Sequence, residues 1–156
     1  MSKEHDEQQK KHAKALEETG FWGKQGAGCM VVCPKTHRWL LNLRGEVEQP
    51  GTWGVWGGAV DDGEALLDAA VREFREESMC GVPIRIPSEE PIYVFRKDKF
   101  SYSTFIVEVD REFAVRPSKE TADAQWFPLD ALPDNLHFGV VAILADRYAR
   151  KQLEKY

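Results

Sequence analysis

Three glutamates, Glu73, Glu76 and Glu77, crowd into the stretch running from Gly58 to Cys80. Carboxylates packed this closely call for a multivalent cation, and a cation held by carboxylates points to metal-assisted chemistry on phosphates. The residues that must position them read as a helix. Leu66, Leu67, Ala70, Val71 and Phe74 recur at spacings of three and four, with no interrupting Gly or Pro. Gly63 and the acidic Asp61, Asp62 and Glu64 suit its beginning. At roughly 100° per residue, the three glutamates fall within about 100° of one another on the flank of the apolar stripe, and Glu77 lies inside it.

A helix that needed only solubility would set its glutamates opposite the apolar stripe, each with a lysine three or four residues away. No lysine occurs between Gly58 and Cys80, and only Arg72 and Arg75 offset seven acidic side chains there. Removing unpaired carboxylates from water costs several kcal/mol apiece. A bound cation therefore explains the cluster, and an acidic solvated face is the alternative.

The full spacing resembles the Nudix hydrolase box, G-x5-E-x7-R-E-U-x-E-E-x-G-U, with U an apolar residue. Gly58, Glu64, Arg72, Glu73, Phe74, Glu76, Glu77 and Cys80 stand at the corresponding positions, and Met79 replaces the final glycine. The flanks agree: Leu41 and Arg44 precede Pro50, Gly51, Trp53 and the Gly57–Gly58 pair, with Trp56 where a proline is common in the family. Downstream, Gln125 to Asp130, Leu132 and Pro133 resemble the family's late strand and turn. The likeness covers about residue 26 to the C-terminus.

That resemblance implies an α/β fold, an α/β/α sandwich with a mixed sheet, whose box forms a loop, helix, loop unit at the sheet's edge. It implies that Glu73, Glu76 and Glu77 bind Mg²⁺, with Mn²⁺ as a substitute, and that the backbone carbonyl of Gly57 or Gly58 adds an oxygen. Hard oxygen donors suit such ions, and a water made more acidic by the ion is the implied nucleophile. Arg72 is expected to orient a box glutamate through a bidentate pair, and Glu64 to hold the loop. A further acidic residue from outside the box is common in the family. Glu120 stands at the expected offset, with Asp123 and Glu112 behind it. Arg44 is the candidate phosphate contact, a structural salt bridge being its alternative.

The implied activity is hydrolysis of the P–O–P bridge in a nucleoside diphosphate derivative. Nucleoside triphosphates, nucleotide sugars and ADP-ribose all stay open. Two alternatives accompany it: a non-catalytic nucleotide-sensing module, for which Met79 speaks, and an RNA-cap processing hydrolase, which should show a basic groove. Trp22, Trp53, Trp56, Phe100, Tyr102 and Phe138 are aromatics able to stack a base or to fill the core.

Composition bounds these readings. The 156 residues, 42% of them hydrophobic, make one domain's worth of chain. A net charge of −5 without a dense Lys/Arg run argues against a nucleic-acid polymer as partner; a small phosphorylated nucleotide needs no basic footprint. No stretch approaches the roughly 20 apolar residues of a membrane span, and the polar N-terminus does not read as a signal peptide. A cytoplasmic protein is expected. Three cysteines fit a reducing compartment. Cys29 and Cys33 lie about 13 Å apart along a strand and cannot bridge, Cys80 reads as a small core residue, and no zinc-type spacing occurs. His5, His12, His37 and His137 are scattered and support no triad.

Residues 1–20 read as a polar extension, either a solvated tail or an oligomerisation arm that would pair two copies as a homodimer. Residues 21–156 form the domain. Within it, Cys29 to Cys33 is apolar on both strand faces, as in a buried central strand. His37 to Leu43 is a second strand in which Trp39 and Leu41 alternate with polar neighbours, Gly45 to Gly63 a loop, and Pro83 to Ile86 an extended run. Tyr93 to Phe95 and Phe100 to Val109 form a hairpin, and Ala124 to Phe127 a last strand. A C-terminal helix from about Phe138 is expected to bury Val141, Ile143, Leu144 and Tyr148 on one face.

Overall fold

The computed structural model describes residues 25–47 and 49–156; the expectations for residues 1–20 and for Trp22 lie outside them. Strand β1 (Gln25–Cys33) is the centre of the molecule. Its alternate residues are apolar in both directions. Ala27, Cys29, Val31 and Cys33 enter one core, and Met30 and Val32 enter another.

One edge of β1 runs parallel to β7 (Phe100–Val109), from Gln25 opposite Ser101 to Val32 opposite Glu108. The other edge is shared by two antiparallel neighbours. Residues Gly26 to Cys29 pair with β4 (Trp56–Ala59), and Val31 to Cys33 pair with β2 (Arg38–Arg44). Strand β8 (Thr121–Pro128) extends the sheet beyond β2, with β3 (Trp53–Gly54) also on β2. Beyond β7 lie β5 (Ile84–Arg85) and β6 (Tyr93–Lys97). The result is a mixed sheet of eight strands.

Helix α1 (Leu66–Ser78) covers one face through Ala69, Ala70 and Phe74, which pack on Cys29, Val31, Trp56, Phe105 and Val107. Burying a side chain such as Phe74 is worth about 1.5–3 kcal/mol. Helices α2 (Phe138–Ala145) and α3 (Arg147–Leu153) cover the other face, where Ile143, Ala149 and Leu153 meet Met30, Val32, Trp39, Leu41 and Ile106. The architecture is therefore the expected α/β/α sandwich. All three cysteines are buried and free.

Three expectations need correction. The segment from Gly45 to Gly63 is not all loop, because it contains β3 and β4. Strand β2 is buried on both faces, Leu40 facing α1 while Trp39 and Leu41 face the other core. The C-terminal helix is two helices: Asp146 takes an extended conformation (ψ 124°) between them, and its side chain accepts a hydrogen bond from the Ala149 N–H at 2.9 Å as an N-cap. The break changes which residues face inward. Val140, Ile143, Ala149 and Leu153 are buried, and Val141 and Tyr148 are more than half exposed.

Candidate active site

The site forms where the end of β4 meets the flank of α1. Glu77 is fixed there by a backbone donor, the Gly57 N–H, at 2.9 Å from its Oε1. Glu73 lies against Gly58, and a Cβ added to Gly58 would stand 2.6 Å from the Glu73 carboxyl carbon. Both carboxyls therefore rest on the bare backbone of the Gly57–Gly58 pair. Burial, with the Glu73 charge second, pushes the Glu77 carboxyl well above the usual carboxylate range. Burial also raises Glu73, against the lowering effect of Arg72.

Arg72 organises the opposite side. Its Nε and Nη2 hold Glu64 in a bidentate pair at 2.8 and 3.0 Å, and its Nη1 reaches Glu73 at 3.0 Å and Glu76 at 3.4 Å. The bidentate partner is thus Glu64 and not one of the clustered glutamates. Glu64 also accepts the Asp61 N–H at 3.1 Å, so it ties the loop to the helix. Glu76 is the most exposed of the three clustered glutamates, with 59% of its side chain accessible.

The residues outside the helix arrive through sheet pairing. The β2–β8 register shifts between Leu43 and Arg44, leaving Arg44 opposite Thr121, and the Gly45 N–H donates to the Glu120 carbonyl at 2.8 Å. Arg44, at the end of β2, and Glu120, just before β8, are therefore brought near one another. The Glu120 charge raises both Glu73 and Glu77, and the Arg44 charge lowers Glu77. Asp123 instead accepts hydrogen bonds from Ala124 and Gln125, and Glu112 is paired with Arg38. Among the described residues, no three acidic, His or Cys side chains already stand in ligating geometry.

The aromatic candidates separate by location. Trp56 is fully buried, donates to the Leu40 carbonyl at 2.9 Å and packs edge-on against Phe74. Trp53 packs against Phe127. Phe100 and Phe138 both meet Phe95, and Phe138 is half exposed at the start of α2. Tyr102 lies across Gly26 and Gly28.

His137, which carried no role in the sequence, caps α2. Its Nδ1 accepts the Gly139 N–H at 3.0 Å, while burial and the Arg44 charge lower its pKa to about 4. The signal available for it was its place just before an apolar helical run.

Met79 ends α1 in the left-handed conformation (φ 55°, ψ 33°), with its N–H donating to the Arg75 carbonyl. The turn that glycine favours is kept although glycine is absent.

Comparison with known proteins places this geometry. A family model of the NUDIX domain matches residues 23–146. The chain belongs to the Nudix family. It is similar to a nucleoside triphosphate pyrophosphatase/Nudix hydrolase fusion protein of Bifidobacterium longum, 27% identical over 125 residues, 72% of this chain and 25% of that one. It is also similar to the oxidized purine nucleoside triphosphate hydrolase of Mus musculus, 28% identical over 104 residues, 67% of each chain. The chain thus spans only a quarter of the bifidobacterial fusion protein. Among solved structures it resembles the Nudix hydrolase RenU from M. smegmatis, with a TM-score of 0.68 and 26% identity over 86% of this chain and 88% of that one. The chain carries a NUDIX domain, and among its described residues no helix is long and apolar enough to cross a membrane.

Proposed function

We propose that this Nudix domain is a divalent-cation-dependent pyrophosphohydrolase that cleaves the P–O–P bridge of a nucleoside diphosphate derivative. The observation that carries the reading is the buried Glu77 carboxyl, fixed by Gly57 next to the Glu73 carboxyl on Gly58, with the charges of Glu120 and Arg44 acting on it. Carboxyls this close repel when ionised, and nothing in an apolar or purely structural role requires them to converge. Their oxygen chemistry fits Mg²⁺ or Mn²⁺, which Glu73, Glu76 and Glu77 would hold, with a Gly58 carbonyl as a further donor. Bound to these oxygens, such an ion neutralises phosphate charge and acidifies water.

The protein's own groups do the positioning. Gly57 and Gly58 leave room for the two carboxylates and orient them, and Arg72 braces Glu73 from the far side. Arg44 offers a planar fork to phosphate oxygens. Glu120, beside it, is placed to accept a proton at its carboxylate from the attacking water. The rate enhancement rests on orientation and charge neutralisation, as in other phosphoryl transfers.

Among the open substrates, the names of the murine and bifidobacterial relatives favour a nucleoside triphosphate. The left-handed turn kept at Met79 removes the main reason for reading a non-catalytic sensor, and the net charge of −5 weighs against capped RNA. A small nucleotide as partner, and a cytoplasmic location, complete the reading. The test is a chromatographic screen for nucleoside mono- or diphosphate released from nucleoside triphosphates, nucleotide sugars and ADP-ribose, with Mg²⁺ and with EDTA. Metal-dependent release from one class supports the proposal, and no release from any class overturns it.

A further inference from the structure

Gly26, Gly28 and Gly57 lie in one patch, because Gly28 pairs with Gly57 across β1 and β4 while Gly26 pairs with Tyr102 across β1 and β7. None of the three has the positive φ that requires glycine; Gly51 and Gly63 are the described glycines that do. Glycine weakens a strand interior, so a patch of three needs a cause other than conformation.

Space is the cause. A Cβ on Gly26 would stand 2.5 Å from Cδ2 of Tyr102, and one on Gly28 or on Gly57 would collide with the Tyr102 hydroxyl. The phenol starts on β7, crosses β1 and ends over β4, and each of the three glycines clears part of its path.

The path delivers the hydroxyl to Gly57, whose N–H holds Glu77. The charges of Glu77, Arg44 and Glu73 act on the hydroxyl. Among the described residues the hydroxyl has no hydrogen-bond partner. A phenylalanine would fill the same slot between the glycines, so packing accounts for the ring and not for the hydroxyl. A neutral O–H beside the Gly57–Glu77 contact is suited to donate to an anionic oxygen held there.

We propose that Tyr102, seated across Gly26, Gly28 and Gly57, donates its phenolic O–H to a phosphate oxygen of the bound substrate, beside the Gly57–Glu77 contact. This inference rests on the cleft being a diphosphate site. It assigns Tyr102 to the phosphate chain and not to base stacking.

The test uses Tyr102→Phe, which keeps the ring and removes one oxygen. Binding is measured calorimetrically in Mg²⁺ for two probes that contain no P–O–P bridge, α,β-methylene-dGDP and bare methylenediphosphonate, while dGTP hydrolysis is followed for the native chain. A hydrogen bond to a charged group predicts that Kd rises about 10-fold or more for both probes, with the unfolding midpoint unchanged. A loss confined to the nucleotide probe would mean a contact to the nucleoside and overturn the proposal. Binding equal to native would overturn it while leaving the hydrolase reading intact, provided the native chain hydrolyses dGTP. A large fall in stability would assign the hydroxyl a structural role and overturn it too. If the native chain does not bind the probes, this inference falls, and if it also cleaves nothing in the substrate screen, the diphosphate site itself is wrong.

Discussion

Replacing Met79 by glycine should stabilise this protein, although the position closes the acidic helix. Met79 has φ 55° and ψ 33°, and its side chain is 81% exposed, so the substitution removes almost no packing. A left-handed conformation costs a residue with a Cβ about 1–2 kcal/mol, and glycine avoids that cost. Against this, glycine frees the unfolded chain by about 0.4–1 kcal/mol. The difference leaves a net gain of about 0.5–1 kcal/mol, which for a chain of this size raises the melting midpoint by roughly 1–4 °C. Thermal and urea unfolding of the native chain, Met79→Gly and Met79→Ala measure it. The alanine variant loses the exposed side chain but keeps the Cβ, and should match the native chain within a few tenths of a kcal/mol. A glycine variant no more stable than the alanine variant would refute the account of strain at this turn. Turnover should stay within about tenfold, since the N–H that closes the helix onto Arg75 is kept.

Glu77→Gln preserves an acceptor for the Gly57 N–H but removes the charge, so turnover should fall about 10²-fold or more with the fold intact; unchanged activity at saturating Mg²⁺ would remove Glu77 from the site. Gly58→Ala places a methyl 2.6 Å from the Glu73 carboxyl carbon, which must swing away. Steady-state kinetics should show at least a tenfold loss, and circular dichroism a retained fold. His137 is held neutral in the fold, its pKa lowered to about 4 by burial and by Arg44, against about 6.5 when unfolded. Between those values the unfolded chain binds more protons, so this contribution is complete above about pH 6.5 and is lost as pH falls toward 4. Allowing for partial exposure, it amounts to about 1–2 kcal/mol. Urea midpoints at pH 7 and pH 4.5 should differ less in His137→Asn, which retains a capping side chain; an equal difference in both proteins argues against His137.

Local pattern was enough for the elements whose side chains repeat. The apolar stripe from Leu66 to Phe74 is the stripe that packs on the sheet. The doubly apolar run from Cys29 to Cys33 is the central strand, and the Tyr93 to Val109 segment is a hairpin turning at Asp98, which adopts a positive φ of 54°. These features depend on periods and turns contained within a few residues, as does the box spacing that disclosed the family. Strand β4 was invisible because Trp56, Gly57, Gly58 and Ala59 carry no period of their own and are strand only by pairing with β1. The break at Asp146 was missed because either side of it is helical by composition, and a single capping interaction with Ala149 decides which faces turn inward.

Site assembly divides in the same way. Glu73, Glu76 and Glu77 could be named from spacing, but the partner of Arg72 and the depth of Glu77 depend on where the loop folds back. Arg44 and Glu120 become neighbours only through the irregular pairing of β2 with β8. The three glycines under Tyr102 belong to separate strands, and no local sequence rule connects them. The chain alone determines what repeats along it. Which charges share a cleft, and which side chain occupies the space a glycine leaves, is set by contacts between distant segments once the sheet has formed.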